Sequence, residues 1–297
     1  MTMKIKNLSK TPEEWLLIED TYLNRTDNKA KIVEEYFEDV IYVNHQDNKT
    51  VFALREYYDF CLRFLQERYP QYFKVVVLDK NKFLHNIIRD EKLPLDSRLV
   101  EPQELCKILS RTLEEDFLIL LKDNPTNPDE EYKLKCSSWC FPSGFSPKDK
   151  FEQSLSAIHY PVPDYASKLK LSMNKFFERV CPKDLWMRTN WLIQLHPNLM
   201  SINTNHASKD EVVKSIDIGE LDFDNCFLRC ERQVITCLPI LNAKVMTIRT
   251  YTTPLLQIKA EGLGNELIQA IDGLNGDFAH YKNKGAWGQA VKQYMGE

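Results

Sequence analysis

His159 lies beside two prolines, in the segment Ile158-His159-Tyr160-Pro161-Val162-Pro163. Each proline fixes its own φ angle and disfavours helical backbone in the residue before it. A histidine on such restricted backbone can hold one ring nitrogen in a constant direction, as an axial metal ligand or a positioned base must. The alternative is a histidine that hydrogen-bonds to the backbone at a helix end, and the motif alone favours this alternative.

An arginine and a glutamate stand two residues apart in the segment Phe227-Leu228-Arg229-Cys230-Glu231-Arg232-Gln233. Because side chains alternate along a strand, Arg229, Glu231 and Gln233 share one face. Such a pair can form a polar site in an apolar cavity, where the guanidinium stabilises negative charge and the carboxylate holds a cation. A structural ion pair on the outer face of the sheet is the alternative.

Two further segments show the same alternation. Arg188 and Asn190 share one strand face, and Arg249 and Tyr251 share another. The planar guanidinium of arginine suits carboxylates, which it can bind through two parallel hydrogen bonds. For any single one of these residues, a surface salt bridge is an equally good interpretation.

Together these segments carry a family resemblance. Three more stretches contribute to it: Trp139-Cys140-Phe141-Pro142-Ser143 with Lys150, Trp186-Met187-Arg188-Thr189-Asn190-Trp191, and Thr247-Ile248-Arg249-Thr250-Tyr251. Taken in order along the chain, they resemble the haem-dependent oxidative N-demethylase family. The similarity runs from about Trp15 to Leu256, and its most specific part lies between Trp139 and Tyr251.

The resemblance implies a haem-binding PAS-like fold and the oxidation of a small secondary amine, such as dimethylamine, to formaldehyde and the shorter amine. It makes His159 the predicted axial ligand to the iron of a haem b. Arg229 and Glu231 become the predicted catalytic pair, where bound oxygen and the protonated amine meet. Four side chains are predicted to bind the cofactor, the arginines through its propionates: Arg188, Asn190, Arg249 and Tyr251.

The electrons for such a reaction are expected from a separate NAD(P)H, flavin or iron–sulfur reductase. Gly262-Leu263-Gly264 lacks the third glycine of a dinucleotide-binding fingerprint, and no cysteine cluster fits an iron–sulfur centre. The resemblance implies the same division, with flavin, iron–sulfur centre and folate on other subunits. One alternative is a haem-based gas or redox sensor, or a haem-binding protein without turnover; another is a binding module without haem. A sensor usually needs an output domain, for which 297 residues leave little room.

The composition indicates an ordinary soluble protein, with 43% hydrophobic and 28% charged residues. A net charge of −4 gives no reason to expect nucleic acid or an anionic membrane as partner. Met1 to Lys10 contains no apolar stretch, so we expect no secretory signal and a cytoplasmic protein. The 8 cysteines are expected to be free thiols. Pairs spaced like Cys136 and Cys140 span about 13 Å on a strand, whereas a disulfide needs Cα atoms within about 7 Å.

The order of patterns along the chain predicts an α+β protein. Residues 1–100 are predicted to form a helical region packed on a PAS-like domain of residues 101–297, in one compact unit. Helices are predicted from Thr11 through Tyr22, over 32–40, 50–70, 102–109, 165–180, 265–274 and 286–295. Residues 80–100 are predicted to be a linker, and 201–220 a surface insertion. Five strands are predicted to form one antiparallel sheet: 117–121, 132–139, 185–195, 226–237 and 245–251.

Overall fold

A computed structural model describes residues 5–296 and shows an α+β protein. Residues 1–4, part of the segment considered for a secretory signal, and residue 297 lie outside the described residues. The strands are β1 (Lys6–Asn7), β2 (Ile41–Val43), β3 (Phe73–Leu78), β4 (Asn81–Asn86), β5 (Glu91–Pro94), β6 (Asp116–Leu121), β7 (Lys133–Ser138), β8 (Trp186–Gln194), β9 (Phe227–Cys237) and β10 (Lys244–Pro254). The α-helices are α1 (Tyr22–Glu35), α2 (Phe37–Val40), α3 (Asn48–Arg68), α4 (Pro102–Thr112), α5 (Leu155–Ile158), α6 (Lys170–Arg179), α7 (Leu255–Ala260), α8 (Gly264–Asp272), α9 (Gly276–Tyr281) and α10 (Lys284–Gly296).

The central sheet is antiparallel and has the strand order β1-β8-β9-β10-β6-β7-β2. The five predicted strands correspond to β6 to β10, and they form five adjacent strands of this sheet. The prediction of a five-stranded PAS-like sheet is not confirmed, because the sheet has seven strands. The two extra strands, β1 and β2, are two and three residues long, which is too short to show an alternating pattern.

A second sheet corrects the prediction of a linker over residues 80–100. Strands β3, β4 and β5 form a three-stranded antiparallel sheet. Asp79 and Lys80 make the turn between β3 and β4 with φ angles of 48° and 69°. A two-residue turn with both φ angles positive matches the twist of a hairpin, but it usually contains glycine, which is absent here. That missing glycine hid the hairpin from sequence analysis.

The helix predicted from Thr11 is also wrong, because Pro12–Glu14 forms only one 3₁₀ turn and α1 begins at Tyr22. The backbone between them bonds to distant side chains instead of to itself. The amide of Leu17 donates to Glu115, and its carbonyl accepts from Arg249. Helix α3 confirms the prediction for 50–70, and α4, α8 and α10 confirm the predictions for 102–109, 265–274 and 286–295.

The two faces of the central sheet are covered by different elements. The back face carries Phe117, Val234 and Val245, which pack in one core with side chains of α3 and α4. The front face carries Leu118, Ile235 and Ile248, which pack with Leu155 of α5 and Phe177 of α6. A third core joins α7, α8 and α10 to the ends of β8 and β9. No helix within residues 5–296 is both long and apolar enough to cross a membrane.

Candidate functional site

Strands β8 and β9 bring four of the predicted site residues to the front face. Arg188 lies opposite Gln233, and Asn190 lies opposite Glu231, as strand alternation predicts. The Arg188 Nε donates to Gln233 Oε1 at 2.7 Å, and Gln233 Nε2 donates to Glu231 Oε2 at 3.0 Å. Asn190 Nδ2 donates to the same carboxylate oxygen at 3.4 Å. Glu231 is therefore the centre of a polar row that crosses both strands.

Arg229 lies at one end of this row and is fully buried. Its Nη1 donates to Gln194 Oε1 at 3.2 Å and to the Leu199 carbonyl at 2.9 Å. Its Nη2 donates to the Phe141 carbonyl at 2.5 Å, and its Nε lies 3.5 Å from Glu231 Oε1. The terminal nitrogens of Arg229 are thus committed to protein oxygens, and the side chain fixes Glu231 from within the protein.

His159 directly follows α5 and is partly buried near the other end of the row. Its Nδ1 lies 2.8 Å from the Leu155 carbonyl, and its ring stacks on Tyr165 at 4.7 Å between centroids. Because a carbonyl can only accept, Nδ1 carries the proton and Nε2 keeps a free lone pair. The bond to a helix-end carbonyl, posed above as the alternative to a metal ligand, is present. It is also the bond that orients an axial histidine.

Three cations surround the Glu231 row and His159. Lys150 Nζ donates to the Ile158 carbonyl at 3.1 Å, and Lys282 Nζ donates to Asn190 Oδ1 at 2.8 Å. Burial lowers the pKa of Lys282 to about 8. Burial, together with the charges of Arg188 and Lys150, also lowers the pKa of His159. Among residues 5–296, no carboxylate forms an ion pair with Lys150, Arg188 or Lys282. The site therefore has an excess of positive charge.

Arg249 and Tyr251, which were predicted to bind the cofactor, lie on the back face. Arg249 forms ion pairs with Glu19 at 2.7 Å, Glu114 at 2.7 Å and Glu115 at 3.2 Å. The Tyr251 hydroxyl donates to Glu19 at 3.2 Å. The structure does not bring these two residues together with His159, because they sit on β10 in the opposite phase of the strand alternation from Glu231 on β9.

The family model for the haem-dependent oxidative N-demethylase, alpha subunit-like proteins matches residues 4–292. The chain belongs to this family. No curated protein matches it significantly. The family's description specifies haem dependence and oxidative demethylation, and the term alpha subunit indicates a system with more than one component.

The residues on the front face fit the haem that the family's description specifies. Haem requires from the protein an axial ligand and charges that complement its propionates. If haem binds here, the Nε2 of His159 would be the axial ligand, and Arg188, Lys150 and Lys282 would complement the propionates. Within the described residues, no group of three or more His, Cys, Asp or Glu side chains is arranged to hold a bare metal ion.

Two residues of the site were missed by sequence analysis. Lys282 follows the short helix α9, far from any strand in sequence, and nothing local marks it. His206 lies within residues 201–220, which were predicted to be a surface insertion, and its ring packs against Tyr281 at 4.4 Å between centroids and an angle of 33°. One signal could have revealed His206: Gly144 directly follows the segment Trp139 to Ser143, and a glycine there permits close packing of another group.

Proposed function

We propose that this protein is the oxygenase component of an amine demethylase, with His159 as the axial ligand to a haem b. Its substrate is a small secondary amine such as dimethylamine, which yields formaldehyde and the shorter amine. The observation that carries the proposal is the 2.8 Å bond between His159 Nδ1 and the Leu155 carbonyl, which leaves the Nε2 lone pair available beside cations that have no acidic partner within residues 5–296.

The unpaired cations are proposed to hold the propionates. The Arg188 Nε donates a hydrogen bond to Gln233, and its two terminal nitrogens have no hydrogen-bond partner within residues 5–296. Lys150 is held beside α5 by the Ile158 carbonyl, so it lies near the axial histidine. An anionic ligand there lowers the cost of burying these cations, because a buried charge without a partner is strongly disfavoured.

When bound, haem supplies the activation of dioxygen and the oxidation of a methyl group on the amine. Glu231 is proposed to bind the amine, which is protonated near neutral pH as a lysine side chain is. The Glu231 side chain is 13% exposed, so a small ligand can reach it. Arg229, Asn190 and Gln233 hold the carboxylate in place. We therefore propose Arg229 as a positioning residue rather than as a direct contact to oxygen.

Electrons are proposed to come from a separate reductase, through NAD(P)H, flavin or an iron–sulfur centre. Two observations support this: the family's description names an alpha subunit, and the chain has no dinucleotide-binding fingerprint.

The test is the absorption spectrum of the purified protein after addition of haemin. The wild type is expected to bind haem and to show the Soret band of a histidine-ligated iron, and His159→Ala is expected to lose it. His85→Ala is the matched control, because His85 also has one nitrogen bonded at 2.8 Å but lies in the small sheet, on β4. In His159→Gly, added imidazole is expected to restore the band. A His159→Ala variant with the wild-type spectrum contradicts the assignment.

A further inference from the structure

His206 is held against Gly144 by packing and not by hydrogen bonds. Gly144 has a φ of +77°, and a Cβ placed on it would lie 2.1 Å from His206 Nδ1. The ring therefore occupies the space that a side chain would need. The backbone around it is anchored, because the amide of Gly144 donates to the Ser201 carbonyl and the amide of Ala207 donates to the carbonyl of Tyr281. Residue 144 must be glycine for the imidazole to lie where it does.

The environment of the ring decides which nitrogen carries its proton. His206 Nδ1 is buried and has no hydrogen-bond partner. A proton on Nδ1 would be a buried donor without an acceptor, which is more costly than a buried lone pair. The proton therefore resides on Nε2, which has no hydrogen-bond partner within residues 5–296. His206 thus offers one free N–H donor.

The charges that face His206 keep it neutral. They come from Lys282 beyond α9, Arg229 on β9 and Lys150 before α5, and these charges add to burial in lowering the pKa of His206 to about 3. The other titratable groups of this part of the site are Tyr281, whose pKa is raised to about 12, and Glu231. A neutral imidazole that donates a hydrogen bond is a known way to polarise an oxygen without transferring a charge.

His206 lies close to the Glu231 row. Its ring packs against Tyr281 at 4.4 Å between centroids. The next residue, Lys282, donates to Asn190 Oδ1, and Asn190 Nδ2 donates to the Glu231 carboxylate. Arg229, whose charge also reaches His206, forms an ion pair with Glu231. A ligand beside Glu231 therefore lies in the same part of the site as His206.

We propose that His206 donates its Nε2–H to dioxygen bound beside Glu231. This inference rests on the proposed function. Of the two reactants, only dioxygen can accept the bond, because the protonated amine has no lone pair on its nitrogen. His206 then supports the oxygen that reacts, while Glu231 holds the amine.

Carbon monoxide on the reduced holoprotein is the probe, since its infrared stretching frequency responds to a nearby donor. We expect a higher frequency in His206→Phe, which keeps a ring against Tyr281 but has no donor. His206→Gln, which keeps a donor, is expected to lie near the wild type. Dioxygen is expected to dissociate about tenfold faster from His206→Phe, as the loss of one hydrogen bond predicts. His280→Phe is the control, because His280 bonds to the Ser208 carbonyl and is exposed.

A measurement on the haem-free protein tests the tautomer separately. In ¹⁵N NMR spectra, His206 is expected to show a protonated Nε2 and no titration between pH 5 and 8. An unchanged carbon monoxide frequency in His206→Phe, or a His206 that titrates near its ordinary pKa, overturns the proposal. If the wild type binds no haem, the proposed function fails as well. If it binds haem and the frequency does not change, only the role of His206 fails.

Discussion

The two faces of the central sheet each carry buried arginines and glutamates, but only one face balances their charges. On the back face, Arg249 meets three carboxylates, those of Glu19, Glu114 and Glu115. On the front face, Lys150, Arg188 and Lys282 lack an acidic partner within residues 5–296. We infer that the balanced set holds the fold together, and the proposed function assigns the binding of a ligand to the unbalanced set.

The largest effect is expected from breaking the balanced set. Arg249→Met leaves Glu114 and Glu115 buried without their counter-charge, and loss of one partner from a buried ion pair typically costs about 3–5 kcal/mol. Urea denaturation measures the change in the free energy of unfolding. Arg98→Met is the control, because Arg98 pairs with Asp96 on the surface, where loss of the pair should change stability little. The folded Arg249→Met protein should still bind haem. Loss of haem binding would instead indicate that Arg249 takes part in binding the cofactor.

On the front face, Glu231→Gln keeps the shape of the side chain and removes its charge. We expect haem binding to persist and the spectral change on addition of dimethylamine to disappear. Loss of one charged contact should slow formaldehyde production by roughly 30- to 1000-fold, which corresponds to about 2–4 kcal/mol. Glu261→Gln, at an exposed residue on the far side of α7, is the matched control. A Glu231→Gln variant that binds and oxidises the amine like the wild type would show that the amine binds elsewhere in the protein.

A smaller effect is expected from Arg188→Gln. One charge-assisted hydrogen bond to a propionate is worth about 1.5–3 kcal/mol, so haem should bind roughly ten- to a hundredfold more weakly. The rate of haem transfer to an excess of apomyoglobin measures this change. Because Arg188 has no ion pair within the described residues, the unfolding free energy of the haem-free protein should stay nearly constant. A large loss of stability instead would assign Arg188 to the structural set.

Sequence analysis found the central strands and the pairs of residues that share a strand face, since both follow from local patterns. It could not assign Arg249 and Glu231 to different faces. That assignment depends on the register between β9 and β10, where Thr250 and not Arg249 lies opposite Glu231. Register depends on contacts across the whole sheet, which no local pattern contains.

The remaining errors have similar physical causes. The strand pair β3 and β4 uses a turn without glycine, and the backbone of Leu17, after Glu14, bonds to side chains more than ninety residues away. Lys282 and His206 reach the site through irregular segments, whose conformation is set by tertiary packing.

The N-terminal segment also affects how the chain can fold as it is synthesised. Lys6 pairs with Met187, and the Leu17 carbonyl accepts from Arg249, so this segment has partners that leave the ribosome much later. Contacts between residues so far apart form slowly, because a long loop must close before they are gained. The Trp15 ring packs on Tyr57, Phe60 and Phe64 of α3, which are made early, but the backbone of Lys6 and the Leu17 carbonyl lack their partners until β8 and β10 have been made. During that interval the chain needs protection from association with other unfolded chains.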